Sequence, residues 1–279
     1  MKKNISLNTV LIIGNHIRHK AFAYFVEKDI NINVKSYIVF NRENPSPTPP
    51  KNIDSELKKI WVNHFNIRNS TEKKFFDGKD LNKNLPKLEI KKGDNLNSKK
   101  TINFIKKQKL DLAIIYGSDI IKDPLFSFLP KYKLNFHLGL IPHFKGSITM
   151  IWPFLLLQPN NACCTFHLID KLVDTGEIIH QVSPVLNKGD KMHETISKTC
   201  LKSFCEFKYV AKELKRRILN KVKIKYDKKL KQTGKIFTKS DFQAEHLRII
   251  YKYYKDKIVD LFLKKKIRPK KIKLVQLKK

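Results

Sequence analysis

Cysteine is scarce in this chain and falls into no pattern. The four cysteines, Cys163, Cys164, Cys200 and Cys205, form no C-x-x-C pair and have no histidine at zinc-finger spacing. That argues against a zinc finger or a dithiol motif, and no metal is expected. Cys163 and Cys164 are adjacent on a predicted strand and point to opposite faces. All four read as small residues in or near the core, in a reducing cytoplasm. Glycine is sparse too, at 9 residues. Gly14-Asn15-His16 follows the first strand, but G-x-G-x-x-G and P-loop patterns are absent, so a dinucleotide site is unsupported. No run of about 18 apolar residues exists, which argues against a membrane-crossing helix. The N-terminal MKKNISLNTVLIIGN has only Val10–Ile13 as an apolar stretch. That is too short for a signal-peptide core and reads as a first buried strand.

Acidic residues are the other shortage. There are 25 Asp/Glu against 58 Lys/Arg, a net charge of +33 in 279 residues. The excess is uneven: residues 206–279 hold 26 Lys/Arg against 7 Asp/Glu, a net +19, and the remainder carries +14. Such a balance suggests nucleic acid. Three features point elsewhere: the excess is mostly Lys and not Arg, it runs along the whole chain, and Asn and Ile are abundant beside it, as in an AT-rich genome. Compositional bias, capture of a phosphorylated or nucleotide-linked acceptor, and RNA binding all follow from this reading.

Hydrophobic content of 41% suffices for a sizeable core. The length suits one large domain, 1–205, with a basic C-terminal extension, 206–279. Thr9–Gly14, Val34–Phe40, Asp111–Tyr116, Leu134–Leu138, Ala162–Leu168 and Glu177–Val182 read as strands. His16–Lys28, Asp54–Phe65, Ser98–Gln108, Met150–Leu157 and Gly189–Glu213 read as helices. Four prolines between Asn41 and Asn52 exclude helix and central strand there, leaving a surface excursion or an acceptor-side flap. Asn66–Asn97 is polar and reads as loop. Strands alternating with helices predict a mostly parallel, Rossmann-like α/β sheet, with ligands at the carboxyl ends of strands. In the extension, Lys221–Tyr226 and part of Gln232–Thr238 read as short strands. Asp241 is a candidate cap for a helix whose stripe of Leu247, Ile250, Tyr254, Ile258 and Leu261 packs on the main domain or on a second subunit. The last residues from Lys264 read as a frayed basic tail with an edge strand, IKLVQL.

The densest information lies in Leu134–Gln181. Alternate strand residues share a face, so Asn135 and His137 look the same way while Leu134, Phe136 and Leu138 turn to the core. Gly139, Pro142 and Gly146 then make a loop, and Asp174 lies in a DTG turn. An amide can donate to an oxygen that gains negative charge. A histidine can move the protons of an amine, and a carboxylate can orient the histidine and raise its pKa. These parts suffice for acyl transfer to an amine. Neither the Asn-x-His pair nor DTG is specific alone; the ordered set is.

That set is Asn135-Phe136-His137, Leu140-Ile141-Pro142, Phe144-Lys145-Gly146, Thr165-Phe166-His167, Asp170, Asp174-Thr175-Gly176, Ile178 and Gln181. It resembles the folate-dependent formyltransferase family, which includes glycinamide ribonucleotide, methionyl-tRNA and sugar N-formyltransferases. Gly139 departs from it, since many relatives carry Ser there. The resemblance implies 10-formyltetrahydrofolate as formyl donor, with Asn135, His137 and Asp174 catalytic. It implies a pterin site near Tyr116, Gly117, Asp170 and Gly176. Lys145 and Trp152 become candidates for the acceptor side, and His143 reads as a loop residue. His167 is similar to the sugar and glycinamide ribonucleotide enzymes and Trp152 to the sugar and tRNA enzymes, which together imply a nucleotide-linked amino sugar as acceptor; the apolar stripe leaves a homodimer as one assembly. Formylation of methionyl-tRNA or glycinamide ribonucleotide, formyltetrahydrofolate hydrolysis, and non-catalytic ligand binding are the alternatives.

Overall fold

A computed structural model describes residues 5–41, 44–225 and 233–278. The chain begins with β1 (Leu7–Gly14), α1 (Ile17–Glu27) and β2 (Ile32–Phe40). Leu11 and Ile13 of β1 pack into one apolar cluster, Val10 and Ile12 into another. A strand covered on both faces has no polar side to show, which is why this run is continuously apolar. Next come α2 (Ser55–Phe76), β3 (Lys87–Ile90), α3 (Lys99–Lys106), β4 (Leu112–Tyr116), the short α4 (Leu125–Phe128) and β5 (Tyr132–His137). After them lie β6 (Phe144–Gly146), α5 (Trp152–Leu155), β7 (Cys164–Leu168), β8 (Ile178–Val182) and the long α6 (Met192–Leu219). The extension adds β9 (Lys235–Phe237), α7 (His246–Arg248) with a π turn over 249–253, and α8 (Ile258–Leu263).

Seven strands make one sheet in the order β3-β2-β1-β4-β5-β7-β8. The first five are mutually parallel; β7 runs antiparallel to β5, and β8 antiparallel to β7, which restores the direction of the first five. The mostly parallel α/β sheet is as expected from the sequence. Behind β5 an aromatic stack fixes the strand: Phe22 lies 4.9 Å from Phe136, and Phe136 4.7 Å from Phe166. With Phe136 held in the core, Asn135 and His137 are committed to the opposite face.

Several expectations are corrected. The segment 66–97 is not all loop. α2 continues through Phe76, and β3 follows. Its polar look arises because Glu72, 3% exposed, is buried in charge-assisted contacts with Arg18 (2.7 Å) and His16 (2.8 Å). The helix start was legible: the Asp54 side chain accepts from Leu57 N at 2.8 Å. The division at 205/206 falls inside α6. Residues 221–225 form no strand, and Tyr226 lies outside the described residues. Asp241 does not cap a helix; its carboxylate accepts from Thr238 N at 2.7 Å and closes a turn before α7. The expected amphipathic helix is broken between α7 and α8, where Lys255 and Asp256 adopt left-handed φ of 50° and 52°. Its stripe packs on the main domain nonetheless, since Ile250 and Ile258 join the core cluster of the sheet. Cys163, Cys164 and Cys200 are buried and Cys205 exposed, all free. Among the described residues no helix is long and apolar enough to cross a membrane, and no cluster of His, Cys, Asp or Glu could hold a metal.

The extension is tied to the domain by a buried histidine pair. Tyr251 donates to His64 Nδ1 at 2.9 Å, and His193 Nε2 lies 3.3 Å from the same nitrogen. Burial holds His193 down at about 3, with Glu72 opposing and Arg68 and Arg18 adding to the shift; burial also lowers His64, as do His193 and Arg68. A histidine depressed in the folded state is protonated first in the unfolded chain, so stability falls as pH drops below about 6.5. From pH 7 to 5 the His193 share is about 2 kcal/mol. Urea unfolding at both pH values should show His193→Gln losing less stability on acidification than the wild type; an unchanged loss would contradict this account.

Candidate active site

β5 ends at the carboxyl edge of the sheet, and both polar residues of Asn135-Phe136-His137 emerge there. Across the antiparallel pairing of β5 with β7, Asn135 is opposite His167 and His137 opposite Thr165. Cross-strand neighbours of this kind hold their Cβ atoms about 5 Å apart. Asn135 Nδ2 donates to His167 Nε2 at 3.1 Å, and His167 Nδ1 donates to the Leu168 carbonyl at 2.9 Å.

Asp174 arrives from the loop between β7 and β8. Its φ of 51° is left-handed, a conformation aspartate accepts more readily than most residues. The loop closes tightly: a Cβ on Gly176 would lie 1.7 Å from the Leu168 carbonyl oxygen, so only glycine fits. Asp170 Oδ1 accepts from Thr175 Oγ1 (2.6 Å) and Leu172 N (3.0 Å), folding the turn that presents Asp174. The Asp174 carboxylate then faces His137 Nδ1 and His167 Nε2, each at 3.4 Å, and accepts from Gly146 N at 2.7 Å.

His137 is 6% exposed and Asp174 9%, so electrostatics are strong here. Burial acts to raise the Asp174 carboxyl. The His137 charge, the His167 contacts and the Gly146 N–H outweigh it and hold the group well below the usual carboxylate range. For His137 the sequence suggested an elevated pKa. The structure reverses that: burial, with help from His167, outweighs the Asp174 carboxylate and leaves the ring below its ordinary value. The neutral ring has one N–H, and the 2.8 Å contact from Nε2 to the Phe144 carbonyl claims it. Nδ1 is then the nitrogen open to a proton, and Asp174 Oδ2 stands ready to balance the charge.

The sequence-predicted residues divide into two groups. Asn135, His137, His167 and Asp174 converge, with Asp170 and Gly176 shaping the loop beneath them. Tyr116 and Gly117 end β4 next door. Tyr116 packs edge-on to His19 (4.4 Å) and Phe136 (4.8 Å). Gly117, at φ 71°, leaves room for the His19 ring, which a Cβ would meet at 2.4 Å. Lys145 is buried in β6, and Trp152 stacks on Phe237 at 4.5 Å, facing the extension. Sequence reasoning missed the Phe144 carbonyl and the Gly146 N–H, backbone groups with no signature of their own. It also gave no role to Thr165, which donates to Gly139 O (2.6 Å) and accepts from Ile141 N (3.3 Å). Two cavities open along the same sheet edge beside β1. One, of about 370 Å³, is lined by Asn15, His16, Ile17, Pro45 and Asn69; the other, of about 510 Å³, includes Asn15, Lys20, Tyr37, Asp80 and Glu89. Pro45 comes from the proline-rich excursion. Neither cavity is lined by the trio.

An open α/β sheet with a buried Asn-His-Asp cluster at the end of its fifth strand defines a Rossmann-like fold with a candidate acyl-transfer site. No family model matches the chain, and no curated protein matches it in sequence. Solved structures do match its fold. Phosphoribosylglycinamide formyltransferase from Anaplasma phagocytophilum superposes with a TM-score of 0.52 at 14% identity, covering 84% of this chain and 99% of that one. Glycinamide ribonucleotide transformylase 1 from Symbiobacterium toebii gives 0.51 at 14% identity, over 80% and 92%. A 4-N formyltransferase from Francisella tularensis gives 0.50 at 16%, over 84% and 78%. The chain has the formyltransferase fold.

Replacing the carboxylate without changing its size isolates its electrostatic role. In Asp174→Asn the His137 ring loses the neighbour that raises its pKa most, leaving the Phe144 carbonyl as the remaining opposing contact. Its midpoint, read from imidazole NMR shifts, should move further down; a rise or no change would refute the arrangement.

Proposed function

We propose that this protein transfers a formyl group from 10-formyltetrahydrofolate to the amine of a small acceptor, an amino-sugar nucleotide being the favoured class. The observation that carries the reading is the convergence of Asn135, His137 and Asp174 at the carboxyl end of β5 in a chain with the formyltransferase fold. The two cavities beside β1, adjacent on the same edge, offer room for an acceptor.

In this reading the acceptor nitrogen attacks the formyl carbon. The carbonyl electrons move onto oxygen, and Asn135 Nδ2, exchanging His167 for substrate, donates to the oxyanion. His137 takes up at Nδ1, through water, the proton lost by the attacking nitrogen and returns it by the same route to N10 of the folate. The C–N10 bond breaks, giving the N-formyl acceptor and tetrahydrofolate. Asp174 positions the imidazole and balances its transient charge. Asp170, Gly176, Tyr116 and Gly117 bound the donor side. Lys145, Trp152 and His167 act on the acceptor side through the loop and strand that carry them.

Turnover with 10-formyltetrahydrofolate across amino-sugar nucleotides, glycinamide ribonucleotide and methionyl-tRNA tests the proposal directly. Activity is expected with the first class. Steep loss of tRNA affinity with salt would redirect it to RNA, and formate release without any acceptor would redirect it to hydrolysis. Asn135→Ala, His137→Ala and Asp174→Ala should each lower kcat by about 10²- to 10⁴-fold. Near-wild-type turnover in any two overturns the mechanism. Because the reactive form of His137 is neutral and its pKa is depressed, the acidic limb of kcat/KM should fall below about pH 6.5.

A further inference from the structure

Both backbone groups that orient the trio belong to β6: the Phe144 carbonyl that holds His137 and the Gly146 N–H that holds Asp174. β6 has three residues, too few to keep a register unaided. Its partner in the described structure is β9, from the extension, paired in parallel from Phe144–Lys235 to Gly146–Phe237. The pairing is close. Ser147 N donates to Phe237 O at 2.8 Å, and a Cβ on Gly146 would lie 2.1 Å from that oxygen. On the other side a Cβ on Gly234 would lie 1.7 Å from the Pro142 carbonyl oxygen. Phe237 is clamped between rings, 4.5 Å from Trp152 and 6.0 Å from Phe144.

A second tether reaches the same loop from the tail. Gln181 Nε2 donates to Ile141 O at 2.7 Å, while its Oε1 accepts from Val275 N at 2.9 Å. Gln181 N donates to Val275 O at 2.7 Å, and Leu277 N donates to His180 Nδ1 at 3.0 Å, whose Nε2 donates to Glu206. The basic tail therefore lies along the β8 edge, and one buried glutamine couples it to the loop between β5 and β6.

We propose that the C-terminal extension completes the active site: β9 and the tail hold the 139–147 loop against His137 and Asp174, with Phe237 and Gln181 as positioning residues. The role of the trio in catalysis is taken from the function proposed above, but the clamp itself is a statement about His137 and its surroundings. With the loop in place, His137 faces Asp174, His167 and the Phe144 carbonyl in a site closed to water. With the clamp loosened, water enters and the ring returns toward an ordinary imidazole.

Two variants outside the trio test this in the full-length protein. Gly234→Ala drives a methyl group into Pro142 at a left-handed position (φ 76°). Gln181→Met keeps the volume and removes both side-chain bonds, to Ile141 O and from Val275 N. Each should lower kcat about 10- to 100-fold with KM changing less than about threefold, the signature of misplacement and not of lost binding. In the folded variants the His137 midpoint, read by NMR, should rise toward about 6.5. Should the glycine variant fail to fold, the glutamine variant carries the test. Folded variants with a wild-type His137 midpoint overturn the inference. If no acceptor is ever formylated but the midpoint shifts, the clamp stands and the proposed function falls.

Discussion

The Asp174 carboxylate is where three parts of the chain meet. It comes from the β7–β8 loop, faces imidazoles from β5 and β7, and takes an N–H from β6. A buried carboxylate lacking such partners would be neutralised or displaced. Its ionisation therefore depends on every one of those elements being in place. The left-handed backbone at Asp174 and the obligatory glycine at 176 are the local costs of bringing it there. Burial then acts a second time: the enclosure that strengthens these contacts also pulls the His137 pKa below its ordinary value.

The sheet supplies rigidity behind this cluster. Phe22, Phe136, Phe166 and Phe204 form one continuous aromatic body between α1, β5, β7 and α6. Rings of this size each contribute more than any single polar contact at the edge. The polar residues of β5 can be held off the core only because the strand is anchored so firmly by its alternate side chains. Fold and site are thus one arrangement seen from the two faces of a strand.

The extension changes the meaning of the net +33 charge. Its lysines look like a solvated arm when counted along the sequence. In space its apolar residues, Phe237, Ile250 and Ile258, are part of the main core, and its backbone pairs with β6. Surface lysine accounts for the charge, while the scattered hydrophobic residues between the lysines account for the docking.

The order of strands and helices, the buried parallel sheet and the Asn135-His137 pair were legible because strand periodicity and apolar runs are local properties. The ordered motif through Asp174 and Gln181 carried the resemblance for the same reason: each piece is a short string. Residues 66–76 misled because a helix that buries a glutamate among cations looks polar in sequence, and Asp241 misled because a turn and a helix cap use the same side chain. What the sequence by itself determined is which residue types face which side of each element. Only the tertiary structure decided that burial overrules Asp174 at His137, that backbone groups of Phe144 and Gly146 orient the site, and that a segment about 90 residues away holds them. Desolvation and long-range backbone pairing depend on how the whole chain closes up, and no local string of residues records that.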